Sequence, residues 1–249
     1  MAELPKTLEA AIAQARSATQ TAIADGYSLM QVELLFPELK PMPVAEQFLP
    51  ALDSFGSQLK VFFPDAGAAA LARRDWGEVP FKILDIGTGR VPVGQQIQVE
   101  DQAFFFVAPS AVEVSQVEKL CAEAGSRLVV MLNPRLEDAT TIGIGYAGRQ
   151  LRDRFLSTIE PCYHLRPLEG AALFRCYPSP WQIWQEIGNE YQLITELPKK
   201  PPGEELDQIL ALKTKPQSDD LPATPKKPGL IANLQQFLRT VRLNSRSKP

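Results

Sequence analysis

Five short apolar runs, each closed by a turn signal, punctuate the first half of the chain. Residues 30–36 end at Pro37, 59–63 at Pro64-Asp65, 81–86 at Gly87, 103–108 at Pro109-Ser110, and 128–132 at Asn133-Pro134-Arg135. Runs this continuously apolar are buried on both faces, as in strands of a parallel sheet covered by helices. Helical spacing fills the gaps between them. Over 7–24, Leu8, Ala11, Ile12, Ala15, Ala22 and Ile23 form one stripe behind a Thr7 cap, and Asp25-Gly26 stops it. Val44, Phe48 and Leu52 share a face over 44–52, and 66–76 reads as helix. The strongest helix signature follows residue 110. Ser110 and Glu113 have capping-box spacing, Val114, Val117, Leu120, Cys121 and Ala124 line one side, and Gly125 ends it. Strand–helix–strand alternation predicts right-handed crossovers.

The period then changes. Residues 148–157 read as helix, 163–165 and 171–177 as strands around Glu169-Gly170, and 181–186 with 190–195 as a hairpin across Ile187-Gly188-Asn189. These antiparallel strands belong at a sheet edge. A short helix is expected over 204–212. Residues 213–228 are rich in Pro, Lys, Asp and Ser, the composition of a disordered linker. Over 229–243, Leu230, Ile231, Leu234, Phe237, Leu238 and Val241 share a helical face with Arg239 and Arg242 beside it. The expected architecture is a three-layer α/β domain over 3–212. Its sheet is open and mostly parallel with helices on both faces and antiparallel strands at one edge; the linker 213–228 and a basic amphipathic tail, 229–249, follow.

Charge sharpens the picture of the tail. The 249 residues carry a net charge of −3. From residue 221 onward there is no Asp or Glu, while Lys226, Lys227, Arg239, Arg242, Arg246 and Lys248 are basic; the rest holds 20 basic and 29 acidic residues. That balance argues against a nucleic-acid binder. It directs the tail toward an anionic membrane surface, a partner's groove, or its own domain. No apolar run is long enough for a membrane span, and residues 1–6 lack a secretory leader pattern. Three cysteines, an odd number at irregular spacing, fit a reducing compartment.

Candidate chemistry is sparse. Asp85-Ile86-Gly87-Thr88-Gly89 follows a strand and is similar to the first motif of methyltransferases that use S-adenosylmethionine. Pro92 disfavours the helix that motif requires, and a glycine-rich turn is the expectation. Gly143-Ile144-Gly145-Tyr146-Ala147-Gly148 matches G-x-G-x-x-G but lacks a strand immediately before it. With Arg149, Arg152 and Arg154 it could hold a phosphate or carboxylate; otherwise its arginines pair with surface acids such as Asp153 and Glu160. Asp65, Ser110, Asn133 and Arg135 follow strand C-termini, the ligand-binding edge of open parallel sheets, or else serve as caps and turns. Cys162, His164 and Cys176 lack the tight ligand pairs of a zinc site, so no metal or cofactor is expected. A single histidine makes a hydrolase triad improbable, and His164 is expected as an ordinary strand residue.

Six stretches carry a family resemblance: Leu4-Pro5-Lys6-Thr7-Leu8-Glu9-Ala10-Ala11, Val32-Glu33-Leu34-Leu35-Phe36-Pro37-Glu38-Leu39, Val61-Phe62-Phe63-Pro64-Asp65, Leu132-Asn133-Pro134-Arg135-Leu136, Arg152-Asp153-Arg154-Phe155-Leu156 and Arg175-Cys176-Tyr177-Pro178-Ser179-Pro180-Trp181. As a set they resemble the domain of unknown function nineteen-ninety-five family of cyanobacteria and plastids, over roughly residues 3–212. Plastid relatives include a factor needed for photosystem II accumulation, and another carries the domain fused to an adenylate kinase. The resemblance implies a cyanobacterial-type assembly factor, cytoplasmic and peripheral to the thylakoid, with photosystem subunits or other thylakoid proteins as partners and the tail touching anionic lipid. It brings no catalytic residues. The alternative function is a nucleotide- or phosphometabolite-binding enzyme or regulator built on Asp65, Asn133, Arg135, Gly143, Gly145, Arg149 and Arg152.

Overall fold

The structure is a computed structural model that describes residues 2–87, 92–137, 146–188 and 190–213. In chain order it runs α1 (Leu8–Ala24), β1 (Leu29–Leu34), α2 (Pro41–Phe48), a 3-10 stretch (Leu49–Gln58), β2 (Leu59–Phe63), α3 (Ala66–Trp76) and β3 (Lys82–Asp85). Then come α4 (Val93–Gln96), β4 (Ala103–Val107), α5 (Val114–Ala124), β5 (Leu128–Leu132), α6 (Tyr146–Arg154), β6 (Glu160–Leu168), β7 (Ala171–Cys176), β8 (Trp181–Ile187), β9 (Glu190–Leu197) and α7 (Gly203–Lys213). The expected linker and tail, including Leu230, Ile231, Leu234, Phe237, Leu238, Arg239 and Arg242, lie outside the described residues.

All nine strands join one sheet in the order β3-β2-β4-β5-β1-β6-β7-β8-β9. The pairings from β3 to β6 are parallel, and β7, β8 and β9 add antiparallel hairpins at one end. The mixed, mostly parallel sheet with an antiparallel edge is therefore observed. β1, first in the chain, sits in the middle, flanked by β5 and β6.

Burial explains the elements. Every residue of β2, β4 and β5 is buried, and alternate residues feed two cores. Phe105 enters the face covered by α1, α2 and α3, where Phe48 stacks on it at 5.4 Å between ring centroids. Phe104 and Phe106 enter the face covered by α5 and α6, where Phe62 and Phe106 stack at 5.0 Å. Each such ring contributes about 1.5–3 kcal/mol by leaving water. On that second face, a separate smaller core of Leu173, Trp181, Ile183 and Leu206 lies under α7.

Several local expectations need correction. The helix expected over 44–52 begins at Pro41, a residue pre-set for a first helical turn, and tightens to 3-10 geometry from Leu49. The capping box forms only in part. Ser110 donates from its backbone N and its Oγ to the Glu113 carboxylate (2.9 and 2.6 Å), but its Oγ accepts from Val112 N, and α5 proper starts at Val114. β6 spans nine residues rather than three. Pro161 sits opposite Gln31 where the register against β1 shifts, the kind of irregularity at which a strand accommodates proline. A four-residue helix, α4, follows Pro92 where none was expected.

A groove at the carboxyl edge of the sheet

On the second face, the layer formed by α5 and α6 and the core beneath α7 do not meet. Between them the sheet face carries a polar row. Side chains two residues apart on a strand share a face, so Gln31, Glu33 and the following Leu35 emerge together from β1. Parallel register sets His164 of β6 beside Glu33, and antiparallel register sets Arg175 of β7 beside His164. The Trp181 ring of β8 closes the row, 4.9 Å from the His164 ring and 5.6 Å from the Arg175 guanidinium carbon.

At its Gln31–Glu33 end the row opens into a groove of about 670 Å³ at the C-terminal ends of β1, β4 and β5. Gln31, Glu33 and Leu35 line its floor. Ser110, Ala111 and Val112 come from the turn before α5, and Pro134, Arg135, Leu136 and Glu137 from the end of β5; Leu156, Ile159 and Lys200 complete it. The rim is built from strained backbone. Ala108 and Asn133 each leave their strands at positive φ, 49° and 46°, which costs a residue with a Cβ about 1–2 kcal/mol. The two chains turn in parallel, and the ladder extends by one more bridge, Ser110 to Arg135, with Arg135 N donating to Pro109 O at 2.7 Å.

Electrostatics organise the floor. Glu33 Oε2 lies 2.7 Å from His164 Nδ1, 3.2 Å from Gln31 Nε2, which donates to it, and 3.8 Å from Lys200 Nζ. Burial depresses the His164 pKa more strongly than the neighbouring Glu33 raises it. Burial alone would lift Glu33, but the hydrogen bond and charge of His164, then Lys200 and Gln31, outweigh it and leave that pKa below normal. At neutral pH the pair is therefore a carboxylate accepting from the Nδ1–H of a neutral imidazole. That tautomer makes Nε2 an acceptor, and Nε2 is buried without a hydrogen-bond partner. Arg175 donates to Glu160. Lys200, from the connection between β9 and α7, holds its ammonium 5.5 Å from the Trp181 ring centre.

The groove unites some of the residues expected from sequence and separates others. Ser110 and Arg135 line it. Asp65 does not: it caps α3, accepting from Ala68 N at 2.9 Å. Asn133 lies at the rim, yet its Oδ1 is spent on Leu34 N at 2.6 Å, tying β5 to β1. Gly143 and Gly145 lie outside the described residues, and α6 starts within the glycine motif, at Tyr146. Arg149 is exposed on α6. Arg152 pairs with Glu137 at 3.1 Å and Arg154 with Glu118 at 2.6 Å, rather than with Asp153 and Glu160. Cys162 faces the first core, against Thr19, on the side of the sheet opposite the polar row that holds His164; Cys176 packs against that same first core. Gly87 follows the edge strand β3 at φ 75°, and residues 88–91 are outside the described set.

Glu33, His164 as its partner, and Lys200 were not singled out from sequence. One signal was present: a lone acid inside the apolar run Val32-Glu33-Leu34, since a buried carboxylate demands a partner.

Over residues 5–208 the chain matches the family described as Domain of unknown function (DUF1995). The chain belongs to the DUF1995 family. No solved structure matches it. The matched span covers every strand and the first half of α7, so the groove and its polar row lie wholly within the DUF1995 domain. No helix of the described residues is long and apolar enough to cross a membrane.

Proposed function

We propose that this DUF1995 protein is a non-enzymatic interaction factor that assists the assembly of photosynthetic complexes at the thylakoid surface. The observation that carries this reading is how the carboxylates in the groove and along the polar row behind it are spent. Glu33 is held by His164, Glu137 by Arg152 and Glu160 by Arg175. Carboxylates held by partners in this way position a recognition surface and are poorly placed to act as general bases. The apolar walls, with Val112 79 % exposed at the rim, suit a binding partner. The photosynthetic setting rests on the family resemblance, and the basic segment 229–249 supplies an anchor for an anionic surface.

The test is affinity purification of the tagged full chain from its native cells after gentle solubilisation, alongside a chain lacking residues 214–249. Photosystem subunits or thylakoid lipid retained by the full chain and lost from the shortened one is the expected result. A protein recovered alone in both forms refutes the assembly reading. The nucleotide or phosphometabolite reading takes second place, because Arg152 would first have to leave Glu137.

A further inference from the structure

We propose that the groove is a binding site for a small organic carboxylate with an apolar body. The inference does not depend on the assembly reading. A failed purification of partners leaves it standing, and its own failure leaves that reading untouched.

Position and size come first. Ligands of open parallel sheets bind outside the carboxyl ends of the strands, and a volume of about 670 Å³ lies within the range of small-molecule sites, roughly 300–1,000 Å³. Charge comes second. Outside the segment from residue 221 onward, the chain carries 20 basic against 29 acidic residues, yet this groove presents two cations to solvent. The Arg135 guanidinium has no hydrogen bond or ion pair among the described residues. Lys200 is 48 % exposed at its side chain and is poised between the Trp181 ring and the Glu33 carboxylate. A guanidinium on an exposed rim matches the planar, two-oxygen face of a carboxylate.

The acids in the same wall set the number of charges. Glu33 remains ionised and already offsets Lys200 in part; Glu137 faces the same space. A polyphosphate would meet both carboxylates at close range, whereas a single negative charge is balanced by the one uncommitted guanidinium. The remaining wall is aliphatic: Leu35, Leu136 and Leu156 offer an apolar body the contact it needs.

The test uses the full chain and isothermal titration with sodium octanoate, octanamide, ATP and a hexapeptide ending in a free Leu carboxylate. Octanoate should bind, octanamide should not, and Arg135→Ala should weaken octanoate about tenfold or more, the effect of one charge-assisted contact. Lys200→Ala should weaken it too, which keeps the inference testable if the Arg135 variant misfolds by circular dichroism. Arg74→Ala, which breaks only a surface pair with Asp75, should leave binding unchanged. Absence of octanoate binding, equal binding of the amide, undiminished binding to both groove variants, or tighter binding of ATP overturns the proposal. Tighter binding of the peptide than of octanoate would assign the groove to a polypeptide terminus and overturn the small-ligand assignment.

Discussion

Replacing His164 with Phe should both destabilise the domain at neutral pH and abolish part of its acid sensitivity. Phe keeps an aromatic ring against Trp181, so the principal loss is the 2.7 Å bond to Glu33. A hydrogen bond to a charged group contributes about 1.5–3 kcal/mol. Glu33 keeps Gln31 and Lys200, which places the expected cost near the lower end. Glu33→Leu should cost a similar amount, and the double variant less than the sum, with a coupling of about 1–3 kcal/mol for groups in direct contact. The pH dependence has a definite sign. Both pKa values are depressed on folding, His164 from 6.5 and Glu33 from 4.5. The unfolded chain therefore binds protons first, and stability is lost as pH falls. His164 acts below about pH 6.5 and Glu33 below about pH 4.5, each at up to about 1.4 kcal/mol per pH unit. Urea unfolding followed by tryptophan fluorescence at pH 7.5 and 5.5 reads both effects, and the His164→Phe variant should lose less stability over that interval than the wild type. Single-variant costs that add within about 0.5 kcal/mol, together with an unchanged pH dependence in His164→Phe, would refute the pairing.

Two further outcomes follow from the rim and the cores. Asn133→Ala should cost more stability than Asn133→Gly, because both lose the bond to Leu34 N, about 1–3 kcal/mol, but only alanine also carries a Cβ at φ 46°; denaturant midpoints that rank the other way would refute this. Cys121 and Cys162, their thiol pKa values pushed up by burial to about 12, should resist iodoacetamide at pH 8 until the chain is denatured, and Cys176, raised by burial to about 11, should label first.

What could be read from sequence was what local chemistry decides. The runs at 59–63, 103–107 and 128–132 are apolar at every position because helices cover both faces. The Thr7 and Asp65 caps and the hairpin across Gly188 are signalled by neighbours in the chain. What could not be read depends on strand order. Glu33 and His164 are 131 positions apart, and only the placement of β1 beside β6 makes them a pair. Lys200 looks like part of a proline-rich turn, yet that turn returns across the sheet to reach Glu33. Pro161 and Pro167 made the ends of β6 resemble loop, since the bulge that accommodates Pro161 exists only once β1 lies alongside. Ser110 and Arg135, singled out because they follow parallel strands, line the groove. Asp65 and Asn133 satisfied the same criterion and turned out to stabilise backbone instead.

The central position of β1 also bears on how the chain is made. Residues 29–34 are made well before their two neighbours in the sheet, residues 128–132 and 160–165. At synthesis rates of about 5–20 residues per second, this strand waits roughly 7 to 26 seconds before both partners have been made. Throughout that interval it is a ready substrate for holding chaperones, and the central ladder closes only after residue 165 has been made.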